Sequence, residues 1–189
     1  MLATVIAMRE LSLHILDVAR NSVEAGAGML DLDIVEDTAA DRLNVTIRDD
    51  GPGMDAEMVA RVTDPFFSTR KTRRVGMGLS LMKATCERCG GFLTVQSSPG
   101  EGTVVLSALR LSHLDRPPLG DMGAVIQALA CEAETVALHY THVVDGRVFE
   151  LDTAQLQQDL DGVPVSTPMV LQWLRGLVDE ELQAIGSVA

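Results

Sequence analysis

Asp17 and Asn21 stand four residues apart, and in a helix that spacing puts two side chains on one face. A carboxylate beside an amide oxygen suits water activation and coordination of Mg²⁺, a hard cation that prefers oxygen ligands. The same pair on a solvated helix surface would do neither, so the pair alone decides nothing. A second acid, Asp49, opens the run Asp49-Asp50-Gly51-Pro52-Gly53, whose glycines permit a sharp turn and close backbone approach to a flat ligand. By itself this is also a plain Asp-Gly turn. Further on, Gly76-Met77-Gly78-Leu79 enters an apolar-periodic stretch. Glycines there let backbone N–H groups and the positive helix end meet phosphate oxygens. Just before it, Arg70, Lys71, Arg73 and Arg74 concentrate positive charge for an anion.

The elements that must position these groups are visible in the periodicities. Leu11, Ile15, Val18, Ser22 and Ala25 follow helical spacing, with a stop expected at Gly26. Alternation predicts strands over 29–36 and 42–49, carried by Leu30, Leu32 and Ile34, then Leu43, Val45 and Ile47. From Asp50 to Gly78 the chain is loop-like at both ends, with a short helix expected over 55–62. A helix over 79–89 ends at Gly90-Gly91, and strands over 92–97 and 103–110 flank Pro99, Gly100 and Gly102. Pro117-Pro118 interrupts both periodicities within a boundary stretch from Leu114 to Gly120, and the chain is expected to divide into 8–112 and 113–189. Beyond it, Met122, Val125, Ile126, Leu129 and Ala130 predict a helix, and Asp145-Gly146 a tight hairpin. Thr167 as N-cap and Pro168 as first helical residue open a last helix striped by Val170, Leu171, Leu174, Leu177, Val178, Leu182 and Ile185. The whole reads as α+β, with a compact C-terminal α+β extension.

Charge and composition narrow the function classes. Across 189 residues, 15 Lys and Arg face 27 Asp and Glu for a net charge of −12, a field that repels phosphate backbones and anionic lipid. Neither nucleic acid nor a membrane is expected as a partner. With 47% hydrophobic and 22% charged residues the chain is globular rather than disordered, and it holds no run of about 18 apolar residues, the length that spans a bilayer. Met1 to Ala7 lacks the basic flank of an export signal, and three cysteines suit a reducing compartment, so the expected location is cytoplasmic. Cys86-x-x-Cys89 has the spacing of redox and zinc sites. It falls on a helix that must pack against a sheet, where buried small residues are the expectation and a thiol switch or an incomplete metal site the alternative.

Taken in order, Asn21, Asp49-x-Gly51-x-Gly53, Asp64-Pro65-Phe66-Phe67, Gly76-x-Gly78-Leu79 and Gly100-x-Gly102-Thr103 resemble the N, G1, F, G2 and G3 boxes of the histidine-kinase-like ATPases, the GHKL superfamily. The resemblance covers roughly residues 10–110. From Pro65 to Thr103 it is most similar to a sensor histidine kinase with a short ATP lid, whereas Asn21 to Ala27 looks more like MutL-type mismatch-repair ATPases. The resemblance implies a Bergerat-type α/β sandwich, a mixed sheet with helices on one face, binding ATP and Mg²⁺ between helices and lid. On this reading Asn21 holds Mg²⁺ and Asp49 accepts a hydrogen bond from the adenine amino group. Gly51 and Gly53 shape the adenine floor, Gly76 and Gly78 bend the lid back under the phosphates, and Thr103 supports adenine through Asp49 or a water. Arg70 and Lys71 are lid residues facing the terminal phosphate, in a lid expected to be mobile without nucleotide. Met54, Phe66, Met77 and Leu79 complete the implied nucleotide-binding set.

Two departures from the family pattern shape the functional expectation. His14 is followed by Ile15 and lies inside the first helix, so it is expected to be packed or capping rather than a phosphoacceptor. The acceptor would then belong to a separate, unidentified protein that the chain phosphorylates or regulates. Asp17 stands where the ATP-hydrolysing members carry Glu, and a displacement of about 1 Å can matter to a general base. The alternative expectation keeps Asp17 as a catalytic base in a slow ATPase switch of the MutL or gyrase kind, in which lid closure would drive formation of a homodimer.

Overall fold

The fold is that of a computed structural model, which describes residues 10–64, 78–131 and 136–187. Helix α1 (Leu11–Glu24) buries Leu11, Ile15, Val18 and Ser22 of the expected stripe together with Ala19, whereas Ala25, expected to continue the stripe, is the exposed C-cap residue because the helix ends before it. The chain then turns through Gly26 in left-handed backbone. Strands β1 (Met29–Asp37) and β2 (Arg42–Asp49) form an antiparallel hairpin. Helix α2 (Ala56–Arg61) starts at Asp55, whose carboxylate accepts a hydrogen bond from the Met58 N–H. Helix α3 (Gly78–Arg88) precedes β3 (Phe92–Ser97) and β4 (Thr103–Arg110).

The later residues form α4 (Met122–Ala130), β5 (Ala137–Val144), β6 (Arg147–Asp152), α5 (Thr153–Asp159) and α6 (Pro168–Ile185). Asp145 and Gly146 both take positive φ between β5 and β6, the requirement of a two-residue hairpin turn. Helix α5 has no counterpart in the sequence reading, because its residues carry no apolar stripe; the Asp152 carboxylate initiates it by accepting from two N–H groups. Thr167 occupies the N-cap position of α6, but its side chain makes no capping bond.

Among the described residues, six strands form one sheet in the order β3-β4-β2-β1-β5-β6. Every pairing is antiparallel except β1 with β5, so the sheet is mixed. Alternate strand residues are buried beneath the helices: Leu30, Leu32 and Ile34 on β1, and Leu43, Val45 and Ile47 on β2. Their neighbours Asp31, Asp33, Asn44 and Thr46 are only half-buried on the other face. This is the α+β, Bergerat-type architecture. The sheet runs across the expected division between 112 and 113, since β5 lies along β1 from Met29 opposite Ala137 to Glu36 opposite Val144.

A buried polar chain sits on that parallel pair. The Tyr140 hydroxyl lies 2.7 Å from His142 Nδ1, His142 Nε2 lies 2.8 Å from Glu36 Oε1, and Ser187 Oγ donates to the same oxygen at 2.5 Å. Glu36, Tyr140 and His142 are fully buried. Burial, with the charge of Glu36 adding to it, pushes the Tyr140 phenol above its ordinary pKa. A polar group taken out of water costs free energy unless it is bonded, and a one-residue slip of β5 would carry His142 to the other face. The chain of bonds therefore favours one register and ties the end of α6 to β1. Tyr140→Phe and Glu36→Ala should each cost about 1–3 kcal/mol by leaving buried polar groups unpaired. Urea unfolding measures both, and wild-type midpoints would show that the network holds nothing.

Candidate functional site

The alternation that buries Leu43, Val45 and Ile47 continues to the last residue of β2, and so carries the Asp49 carboxylate to the core side with 9% exposure. A carboxylate so placed needs donors. Ser22 Oγ, on the buried stripe of α1, donates to Asp49 Oδ2 at 2.5 Å, and the Gly51 N–H donates to Oδ1 at 3.0 Å. A carboxylate offers roughly four acceptor positions, so capacity remains for a ligand donor. Asp50 points away and accepts from the N–H groups of Gly28 and Met29, both at 2.8 Å, closing the turn between α1 and β1. Thr103 stands directly opposite Asp49 across β2 and β4.

Two loops interlock beside Asp49. A Cβ on Gly53 would fall 1.9 Å from the Ser98 carbonyl oxygen, and one on Gly102 would fall 1.9 Å from the Asp49 carbonyl oxygen. Both glycines also hold positive φ, so any side chain there would force the loops apart and strain the backbone. Ser97 Oγ fastens the two loops: it accepts from Met54 N–H at 2.8 Å, donates to Gly102 O at 2.7 Å and lies 3.0 Å from Thr103 Oγ1. The Gly100 N–H adds a bond to the Pro52 carbonyl at 2.7 Å. The two loops are thereby fastened to one another beside the buried Asp49 carboxylate.

The start of α3 closes on α1 nearby. A Cβ on Gly78 would stand 3.0 Å from Asp17 Cβ and 3.7 Å from Asp17 Oδ2, so a side chain there would be tightly packed and would press the two helices slightly apart. Asp17 is exposed, Asn21 is half-buried, and both Gly78 and Leu79 are buried. Asp17 and Gly78 thus meet, while Asp49, Gly51, Gly53, Met54 and Thr103 gather around the interlocked loops. Phe66, Arg70, Lys71, Gly76 and Met77, with the rest of the expected lid, lie outside the described residues. Ser22 and Ser97 were missed as site residues. A hydroxyl at a helix position otherwise reserved for apolar groups was the available signal for Ser22, and Ser97 has none.

Neighbouring groups are packed rather than poised. His14 is buried, its Nδ1 has no hydrogen-bond partner among the described residues, and burial lowers its pKa, with Asp17 partly opposing and Arg88 adding to the shift. Cys86 and Cys89 are both buried, and burial pushes the Cys86 thiol up to about 12. Among the described residues no helix is long and apolar enough to cross a membrane.

Residues 6–113 match the family model described as histidine kinase-, DNA gyrase B- and HSP90-like ATPase. Among curated proteins, a non-motile and phage-resistance protein of Caulobacter vibrioides is 30% identical over 116 residues, covering 58% of this chain and 14% of its own. The sensor protein kinase FleS of Pseudomonas aeruginosa is 37% identical, covering 51% of this chain and 24% of its own. The sensor histidine kinase YxdK of Bacillus subtilis is 33% identical, covering 47% and 29%. The chain therefore spans less than a third of the length of each of these relatives. Among solved structures, the N-terminal domain of a DNA repair protein matches with a TM-score of 0.54 at 15% identity, over 77% of this chain and 53% of the other. That coverage exceeds what residues 1–113 could supply, so the likeness in fold extends into the C-terminal residues.

Ser22→Ala should cost about 1.5–3 kcal/mol in urea unfolding, the worth of a hydrogen bond to a charged group; an unchanged midpoint would mean the Ser22 contact contributes nothing. For the thiols, a native-state titration with an aromatic disulfide should modify exposed Cys131 and leave buried Cys86 and Cys89 unmodified until denaturant is added. Prompt native reaction of Cys86 would contradict its packing.

Proposed function

Because the chain belongs to the histidine kinase-, DNA gyrase B- and HSP90-like ATPase family, we propose that it binds ATP with Mg²⁺ and uses it to phosphorylate or regulate a separate partner protein. The observation that carries this reading is the buried Asp49 carboxylate, with acceptor capacity left over, beside two loops too close for any side chain. Asp49 would accept from the adenine amino group, while Gly51, Gly53 and Met54 would line the base and Thr103 would steady it. The donor chemistry of Asn21 fits a hard cation, and Mg²⁺ held there would supply charge neutralisation at the phosphates. Gly78 and Leu79 open α3, whose N-terminal N–H groups suit an anion, with Phe66, Arg70, Lys71, Gly76 and Met77 completing the phosphate side. Residues 8–112 would form the nucleotide-binding portion, and residues 113–189 the portion that meets or regulates the partner.

A second reading rests on the approach of Gly78 to Asp17. It keeps a carboxylate at the entrance of α3, where a general base could activate water. The chain would then be a slow ATPase switch, with a homodimer as its working assembly. Incubation with γ-labelled ATP and purified candidate partners separates the two, because label on protein favours the first and free phosphate that Asp17→Asn abolishes favours the second.

Isothermal titration tests the shared premise. Asp49→Asn, with an unchanged circular dichroism spectrum, should weaken ATP binding by at least about tenfold, as expected when a buried acceptor is lost. Asn21→Ala should weaken binding in the presence of Mg²⁺ far more than in its absence. Wild-type affinity in the first variant, or equal losses in the second, would remove that residue from the assignment.

A further inference from the structure

Helix α6 buries one stripe and exposes another. Leu171, Leu174, Val178 and Ile185 face the core, and Arg175 reaches Asp121 at the start of α4 with an N–O distance of 2.6 Å. The opposite side carries Met169, which is 79% exposed, and Trp173, which is 51% exposed, followed by Gly176 and Glu180. A Cβ on Gly176 would meet nothing within 4 Å. Positions 169, 173, 176 and 180 are separated by four, three and four residues, the spacing of a seam into which a second helix packs its side chains as knobs. Trp173 is a large knob and Gly176 leaves a hole beside it. Tryptophan and methionine are also enriched at protein interfaces.

Charge selects the occupant. The C-terminal half of α6 carries Asp179, Glu180 and Glu181 in succession, and over residues 136–187 acidic side chains outnumber arginines eight to two. A second copy laid antiparallel on this face would set its acidic half against Trp173, and one laid parallel would set acid against acid. A helix with an apolar stripe and flanking Lys or Arg satisfies both halves. We propose that the Met169–Trp173–Gly176–Glu180 face of α6 is the docking surface for a basic amphipathic helix of a separate protein. This rests on the partner-directed reading of residues 113–189, and it names the chemistry that the partner must present.

Trp173 is the chain's single tryptophan, so its emission reports on the surface directly. The probes are three synthetic peptides: a Leu-seamed helix with Lys flanks, the same helix with Glu flanks, and the Lys peptide with its sequence shuffled to destroy the seam. The full chain should show a saturable blue shift with the first and none with the other two. Met169→Asp and, independently, Gly176→Glu should weaken the first peptide at least tenfold while their thermal melts match the wild type. Equal responses to the ordered and shuffled Lys peptides would reduce the effect to bulk charge and overturn the proposal, as would no response to either. A shift that appears with protein concentration alone, together with dimers in sedimentation, would assign the face to a second copy instead. ATP titration of the same variants separates the two readings. If nucleotide binds and the peptide does not, only the docking proposal falls; if nucleotide fails to bind to the wild type, the functional reading falls whatever the peptide does.

Discussion

A carboxylate that must be buried is the constraint around which the rest of this molecule is arranged. The alternation along β2 leaves Asp49 no outward option, because turning it to solvent would turn Leu43, Val45 and Ile47 out with it. Burial is tolerable only with donors in place, and these come from α1 through Ser22 and from the following turn through Gly51. The docking of α1 against the sheet is thus coupled to the chemistry of the site. Displacing the helix would uncover apolar surface and leave a charge without its partner at the same time.

The same economy governs the loops. Gly53 and Gly102 permit a backbone separation that no other residue could occupy, and Ser97 converts that proximity into hydrogen bonds. Loops already bonded to one another lower the ordering cost of binding a ligand beside them, because fewer groups have to be fixed when it arrives. On the other side, the meeting of Gly78 with Asp17 brings a helix entrance to a helix face. The candidate site is accordingly built on two different contacts, one between loops and one between helices.

The strands beyond residue 113 are part of this mechanical frame. β1 is central, paired with β2 on one side and β5 on the other. The Tyr140–His142–Glu36 chain marks the β5 pairing as one of defined register, and Ser187 draws the end of α6 into it. A partner that docks on the outer face of α6 would therefore press on a helix bonded through Glu36 to β1, whose other neighbour ends in Asp49. Strands and hydrogen bonds thus run continuously between this surface and the site.

The elements around the candidate site, and the grouping of Asp49, Gly51, Gly53, Met54 and Thr103, were legible in the sequence, because the features that announce them are local. Alternation over 29–36 and 42–49, the glycines of the turns and the helical spacing from Leu11 to Ala25 are properties of neighbouring residues, and the elements they imply formed nearly where expected. The short helix α5 escaped because seven residues without an apolar stripe carry no periodic signal. Tertiary structure alone decided what lies between distant parts of the chain. Ser22 meets Asp49 across 27 residues, Met54 meets Ser97 across 43, and Glu36 meets His142 across 106. It also decided that β5 joins β1 in parallel. Local pattern determines which face of a strand or helix turns inward, since that follows from backbone geometry. It does not determine which inward face it will meet, since that is settled by how all the buried surfaces and their hydrogen bonds can be satisfied together.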